Sequence, residues 1–428
     1  MDDAPGLREG PDLRVSAALF LALLLLRPLG AEPVPDRLER LLEIAQQREN
    51  WCLRVFALLG IAGEKDDRVV AFLEKGLADP HELVRGTAAI ALRDLPEDVL
   101  AAGADAEYVD RLIGRYLVSK KAPLEVDAAY AQIRKLAGQD FGRDLARWKK
   151  WWADARGSWA PASVGRVPAP QPGEDSGNRT IALLDRLLDL QTDGLDLMLA
   201  IDSTGSMQPY IDAAKARLHE MISILAAIIP PDKLRMGLVT YDDAAQIRAE
   251  LVPKLDEVRK KLDRVTAMGG GDWEEGVDRA LAEVLEHHKM SWRREAAKVV
   301  IVCGDAAAHP KDLEKMYALV EAMHRTPDQL SKVVFSGKGT KLRPFLVSCV
   351  HVLLENPNAK PDPADALART VTERCFRAIA EKGGGTYVIA SKADEVVIQL
   401  LVLSFGAEWR EEIERFLVVF RELSGRKK

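Results

Sequence analysis

Cysteine is scarce in this chain. Cys52, Cys303, Cys349 and Cys375 are the four in 428 residues, too few and too scattered for a disulfide framework. Cys303 and Cys349 fall inside apolar runs, where a free thiol behaves as a small hydrophobe. The seven histidines form no cluster and no CxxC is present, so thiolate–imidazole zinc chemistry has no ligand set. An excess of basic charge is also missing: the net charge is −6, which argues against nucleic acid as a partner. No GxSxG elbow, HExxH helix or placeable Ser–His–Asp set occurs, so the chain reads as a non-enzyme. GlyLysGlyThrLys (337–341) lacks the Gly-x4-Gly-Lys spacing of a phosphate loop and reads as a solvated loop. The apolar run at 15–26, ValSerAlaAlaLeuPheLeuAlaLeuLeuLeuLeu, falls short of the roughly 20 residues a helix needs to span a bilayer.

What that run does have is a setting. Arg8 and Arg14 precede it, and ProLeuGlyAla (28–31) follows. Residues 1–31 therefore read as a secretory signal peptide cleaved after Ala31, which makes the mature chain secreted or periplasmic, with no membrane span. Asp2, Asp3, Glu9, Asp12 and Arg27 are atypical for such a signal, and an uncleaved N-terminal anchor is the alternative. No cysteine follows to carry a bacterial lipid anchor.

Residues 34–155 carry helical patterns only. AspArgValValAlaPheLeuGluLysGlyLeu (67–77) precedes a second pattern at 78–95, with Pro80 placed early in that helix, where its missing amide is harmless. Val84, Ala88, Ala91 and Leu95 fall on one face at helical spacing. The pair resembles one HEAT repeat, with irregular echoes near 50–60 and 124–137. A non-repetitive bundle is the alternative. Trp148, Trp151 and Trp152 share a face of the last helix and read as an aromatic plug in preference to a binding stripe. Residues 156–194 read as a linker, on the strength of four prolines with Gly and Ser in 157–180.

From 195 to 404 strands and helices alternate, which predicts an α/β domain on a parallel sheet. Strands are expected at 195–202, 234–241, 246–252, 297–303, 345–354 and 385–389. Helices are expected at 207–229, 254–266, 274–289, 310–325, 365–382 and 391–403. Residues 326–344 look like an insertion. A C-terminal amphipathic helix within 405–428 lines Trp409, Ile413, Phe416, Phe420 and Leu423 along one side and must bury them somewhere. The sheet, the helical region and a partner are all open as its dock.

Three loops of this second region carry oxygen-bearing side chains. LeuMetLeuAlaIleAspSerThrGlySerMet (197–207) runs apolar until Asp202, then offers Thr204 and Ser206 at alternate positions. LysValValIleValCysGlyAsp (298–305) ends its apolar run at Asp305, and GlyGlyGlyAspTrpGluGlu (269–275) holds Asp272. Ligands of parallel sheets bind at the carboxyl ends of the strands, so these loops converge on one edge. Oxygen-only donors suit a hard divalent cation. Taken alone, AspSerThrGlySer is equally a helix N-cap. A phosphatase-like site with Asp202 as nucleophile is a further reading, although Thr204 stands where phosphoaspartate enzymes of the haloacid dehalogenase type carry a second Asp.

Asp-x-Thr-x-Ser after a strand, a Gly-rich loop and an Asp after a later strand resemble the metal-ion-dependent adhesion site (MIDAS) of von Willebrand factor type A (vWA) domains. The resemblance spans about 195–404. It implies a Rossmann-like fold of six mostly parallel strands with helices on both faces. The first and fourth strands would lie side by side at the centre and the third would form a short antiparallel edge. It further implies that Thr204 and Ser206 bind Mg²⁺ or Mn²⁺ through their hydroxyls and that Asp202 and Asp305 act mostly through water. Asp272 stands where the family usually has Thr. Two carboxylates neutralise a divalent ion; a third leaves an excess negative charge, which holds the ion more tightly and makes it a poorer acceptor of acidic groups. Trp273, Glu275 and His309 are candidates for the site's rim; Trp273 is equally a contact anchor or a loop staple. The implied function is metal-dependent protein binding, in adhesion or assembly, with an acidic residue of the partner completing the ion's coordination. A metal-dependent hydrolase or phosphatase with Asp202 at the site is the alternative. The oligomeric state is not readable.

Overall fold

A computed structural model describes residues 36–47, 49–119, 123–160, 179–267, 274–287, 290–330, 333–337, 341–353 and 363–425. The expected signal peptide at 1–31 and the proline-rich 161–178 lie outside the described residues, as do Asp272 and Trp273.

The N-terminal region is helical: α1 (Arg37–Gln47), α2 (Trp51–Ala62), α3 (Val69–Gly76), α4 (Glu82–Asp94), α5 (Glu97–Gly103), α6 (Ala106–Arg111), α7 (Pro123–Ala137) and α8 (Leu145–Ala155). Side-chain caps set several starts. Asn50 accepts from Cys52 N–H, Asp105 from Tyr108 N–H, and Asp144 from the amides of Ala146 and Arg147. The predicted face of α4 is buried at Val84, Ala88, Ala91 and Leu95. α3 approaches it closely: a Cβ on Gly76 would lie 2.9 Å from that of Ala88.

Pro80 does not sit inside α4. The helix begins at Glu82, because Asp79 accepts the His81 amide at 2.7 Å and shapes a turn across the proline. The tryptophans of α8 turn inward. The Trp148 indole donates to Gly142 O, Trp152 to Asp110 and Trp159 to Ala104 O. Their rings meet one another and Trp151 edge-on or tilted, at centroid distances of 5.3–6.1 Å.

The expected linker at 156–194 needs correction where it is described. Residues Arg179–Asp193 form a helix, α9, that buries Ile181, Leu183, Leu184, Leu187 and Leu190. Proline and glycine content drew the linker too far, across a segment whose leucines repeat at helical spacing.

The second region is a six-stranded sheet built from β1 (Leu195–Asp202), β2 (Leu234–Tyr241), β3 (Ala245–Val252), β4 (Ala297–Gly304), β5 (Phe345–Val352) and β6 (Gly384–Ala390). The order is β6-β5-β4-β1-β2-β3. All pairs are parallel except β2–β3, which is antiparallel. β1 and β4 are therefore central neighbours, and both are buried along their whole length, as strands covered on both faces must be. Helices α10 (Gln208–Ile228), α11 (Leu255–Asp263), α12 (Val277–Glu286), α13 (Leu313–Arg325), α14 (Pro363–Lys382) and α15 (Ala393–Phe405) connect and cover them.

Side-chain alternation splits the core in two. Met198, Ala200, Tyr241, Val302 and Cys349 belong to a layer with Val277, Leu281, Val320 and Phe376. Leu197, Leu199, Ile201, Met236 and Cys303 belong to a layer that runs without a break into the helical region. The last helix, α16 (Arg410–Gly425), closes that layer. Gly406, at φ +131°, makes the turn from α15, a conformation that favours glycine. Phe416 stacks on Phe56 of α2 at 4.7 Å, Arg93 of α4 forks Glu422, and Arg421 reaches Glu220 of α10. Its apolar stripe is thus spent within this chain, on the helical region. Within the 326–344 insertion, Val334–Ser336 pairs in parallel with Ser291–Arg293.

Candidate metal centre

β1 delivers Asp202 to the carboxyl end of the sheet, fully buried. The chain turns at once. Ser203 donates both its amide and its hydroxyl to Tyr241 O, at 2.7 and 3.0 Å, which ties the turn to the end of β2. The Asp202 Oδ1 atom then accepts the Thr204 amide at 2.8 Å and its hydroxyl at 2.7 Å. Thr204 Oγ1 lies 3.1 Å from Ser206 Oγ. Asp202, Thr204 and Ser206 thus form one cluster ahead of α10.

The other oxygen, Asp202 Oδ2, is buried and has no hydrogen-bond partner. An unsatisfied buried carboxylate oxygen is expensive. Asp305 follows β4, half-buried. Burial, and then the charge of Asp305, push the Asp202 carboxyl up, against the pull of the Thr204 bonds. Burial raises the Asp305 carboxyl as well, against a bond from Ser206. The two acids are therefore near neighbours that resist joint ionisation unless a cation joins them. Two hydroxyls, two carboxylates and one orphaned oxygen fit a hard divalent ion, with Asp202, Thr204, Ser206 and Asp305 as its holders. Among the described residues, no group of three or more His, Cys, Asp or Glu is arranged to hold a metal, so hydroxyls must share the work.

The Gly-rich loop reaches the same edge at its described end. Glu274–Glu275 pairs in parallel with Ala307–Ala308, immediately after Asp305. Gly276 N–H donates to Asp242 O at 2.7 Å. Glu275 is 4% exposed and so lies under the rim. His309, next along, has its Nε2 4.0 Å from Asp243 Oδ1.

Three neighbours of the site escaped the sequence reading. Tyr241, the register partner of Asp202, is fully buried and donates its hydroxyl to Cys303 O at 3.2 Å. Gly304 passes between them: a Cβ there would sit 2.5 Å from Tyr241 Oη and 3.0 Å from Asp202 Oδ2. The only sequence signal was a glycine directly before Asp305. His351, opposite Gly304 in register, shares a 2.9 Å bond with Tyr387 Oη. Its Nε2 is buried without a partner, and burial pushes its pKa down to about 4.

Comparison with known proteins gives one family match and several similar structures. Residues 196–326 match the family model of the von Willebrand factor type A domain. No curated protein matches the chain. Similar solved structures include the conserved hypothetical protein BatB from Bacteroides thetaiotaomicron, 14% identical over 52% of this chain and 100% of that one, at a TM-score of 0.33. An aerotolerance-related membrane protein from Bacteroides fragilis is 12% identical over 49% of this chain and 98% of that one, at 0.32. Proximal thread matrix protein 1 from the mussel byssus, with a zinc-occupied MIDAS motif, is 15% identical over 53% of this chain and 51% of that one, at 0.34.

Proposed function

We propose that this chain, which carries a von Willebrand factor type A domain, is a metal-dependent protein-binding protein of the secreted or periplasmic space, acting in adhesion or assembly and not as an enzyme. The observation that carries the reading is the buried Asp202 carboxylate, held by Thr204 on one oxygen, with Ser206 beside it and Asp305 within hydrogen-bond reach, and with no basic side chain among its described partners. Mg²⁺ or Mn²⁺ is the assigned ion, because carboxylates and hydroxyls are hard donors. Asp272 is assigned as a further ligand, from its place in the Gly-rich loop. When bound, the ion would supply an electrophilic position; Asp202, Thr204, Ser206 and Asp305 would hold it, and a carboxylate of the partner would be the group it attracts. Ser206 is exposed while Asp202 and Thr204 are buried, which supports an ion approached from one side. The extracytoplasmic location rests on the 15–26 run. Among the described residues, no helix is long and apolar enough to cross a membrane.

Titration calorimetry with Mg²⁺, Mn²⁺ and Zn²⁺ tests the site. One hard ion per chain is expected, lost in Asp202→Ala; equal binding by that variant overturns the assignment. Asp272→Thr should weaken the ion and strengthen capture of an acidic peptide. A Mg²⁺-dependent phosphoester turnover that Asp202→Ala abolishes would replace binding with catalysis.

A further inference from the structure

We infer that the metal-bearing edge docks a charge-polarised protein segment, with a carboxylate at the ion, a basic residue toward the β2–β3 turn and apolar residues along the start of α14. The inference rests on the binding function proposed above and adds the partner's chemistry to it.

The two sides of the edge differ. On one side the chain leaves β2 at Tyr241, the register partner of Asp202, and enters Asp242 and Asp243. The Asp243 side chain is 68% exposed. The bond from Gly276 to Asp242 O brings Glu274 to this turn. This flank is acidic, with His309 as its nearby base.

On the other side α14 crosses above Asp305, whose carbonyl accepts the Thr372 hydroxyl at 3.5 Å. Thr372, Cys375, Phe376 and Ile379 form the buried face of this helix. Ala364, Leu367, Ala368 and Val371 form a second stripe at i, i+3, i+4 and i+7, the spacing of one helical face. Leu367 is 65% and Val371 41% exposed. Val371 lies one turn before Cys375, which is bonded to the backbone of Ala308. The stripe is therefore on the flank of α14 nearest the Ala307–Ala308 segment that follows Asp305. Isolated exposed hydrophobes are ordinary; a periodic stripe on one side of a candidate cation site, with carboxylates on the other side, is complementary to a segment that is apolar at one end and basic at the other.

Strand spacing sets the distances. The acidic turn lies one strand from Asp202 and α14 about one strand beyond Asp305, each step about 4.8 Å. An extended segment advances about 3.3 Å per residue. The basic residue should fall within about two positions of the carboxylate, and the apolar residues about two to four positions to its other side.

The test pans a phage-displayed library of random 12-residue peptides on the full-length chain in Mg²⁺, with elution by EDTA. Three further chains are panned in parallel: Asp202→Ala, Leu367→Ser with Val371→Ser, and Asp243→Lys with Glu274→Lys. Thermal melting with and without saturating Mg²⁺ checks that the last two still fold and bind the ion. The expected consensus has an invariant Asp or Glu, a basic residue on one side and apolar residues on the other. At least tenfold fewer EDTA-eluted clones are expected on Asp202→Ala. The serine variant should lose only the apolar preference and the lysine variant only the basic one. An acidic consensus unchanged on both variants overturns the docking surface and leaves metal-dependent binding standing. No enrichment over Asp202→Ala overturns the binding function and the surface together.

Discussion

Asp196 and Asp202 lie toward opposite ends of β1, and both are fully buried, yet their surroundings are opposite. Asp196 faces two guanidiniums: Arg235 binds it through Nε at 2.9 Å, and Arg293 through Nε at 2.8 Å and its backbone amide at 2.8 Å. Asp202 has only hydroxyl and amide donors on one oxygen, no donor from a basic side chain on the other, and a second acid, Asp305, within hydrogen-bond reach. A buried carboxylate needs a cation. At the amino end of the sheet the chain supplies two of its own, and the result is framework. At the carboxyl end none of its described residues does so, and in the function proposed above the cation comes from solution.

Removing the first carboxylate should hurt most. Asp196→Ala strands Arg235 and Arg293, which are mostly buried, and should destabilise the fold by about 3–5 kcal/mol with or without metal, as read by urea unfolding. A loss under 1 kcal/mol would erase the contrast. Gly304→Ala comes next. Its Cβ would collide with Tyr241 Oη and crowd Asp202 Oδ2, so a loss of about 1–3 kcal/mol should accompany at least tenfold weaker Mg²⁺ binding by calorimetry.

Proton linkage sharpens the same comparison. Burial and the charge of Asp305 raise the Asp202 carboxyl in the metal-free fold from an ordinary 3.8 to about 7, so the pair retains a proton there. Between those pH values the native chain keeps a proton that the unfolded chain has released, so the chelated protein should lose stability as pH rises from about 4 to 7. Above 7 the loss is complete and the curve levels. A divalent ion favours the ionised acids, so saturating Mg²⁺ displaces the native-state proton and should flatten that slope over most of the window. Melting curves at stepped pH in EDTA and in Mg²⁺ check the slope and its loss. The smallest effect is expected from Tyr241→Phe, about 1 kcal/mol for one lost bond to Cys303 O, with Mg²⁺ affinity moved less than in Gly304→Ala.

Much of this was legible before any coordinates. β1 and β4 read as apolar runs because strands covered on both faces have no polar side to show, and the abrupt stop at Asp202 and Asp305 marked the edge where ligands gather. Asp196 was not legible. In sequence it is a blemish in an apolar run, and its partners Arg235 and Arg293 are 39 and 97 residues away. α9 was hidden because proline and glycine counts average over a window that contains a leucine repeat. The dock of α16 was equally out of reach: an amphipathic stripe says that a helix must be covered, not by what. Glu275, expected at the rim, is buried; this was not legible because its pairing with Ala308 depends on a contact far along the chain. Tyr241 could not be placed either, because its position depends on strand register.

The central claim is that Asp202 is buried for an ion the chain does not itself provide. Equilibrium unfolding of wild type and Asp202→Ala, each in EDTA and in Mg²⁺ at about 100 times its Kd, tests it directly. In EDTA the variant should lose far less stability than Asp196→Ala, since the stranded Thr204 donors are offset by removal of a buried acid with no basic partner. In Mg²⁺ wild type should gain about 2.7 kcal/mol and the variant nothing. A variant that falls in EDTA as far as Asp196→Ala, or that keeps the Mg²⁺ gain, would contradict the account.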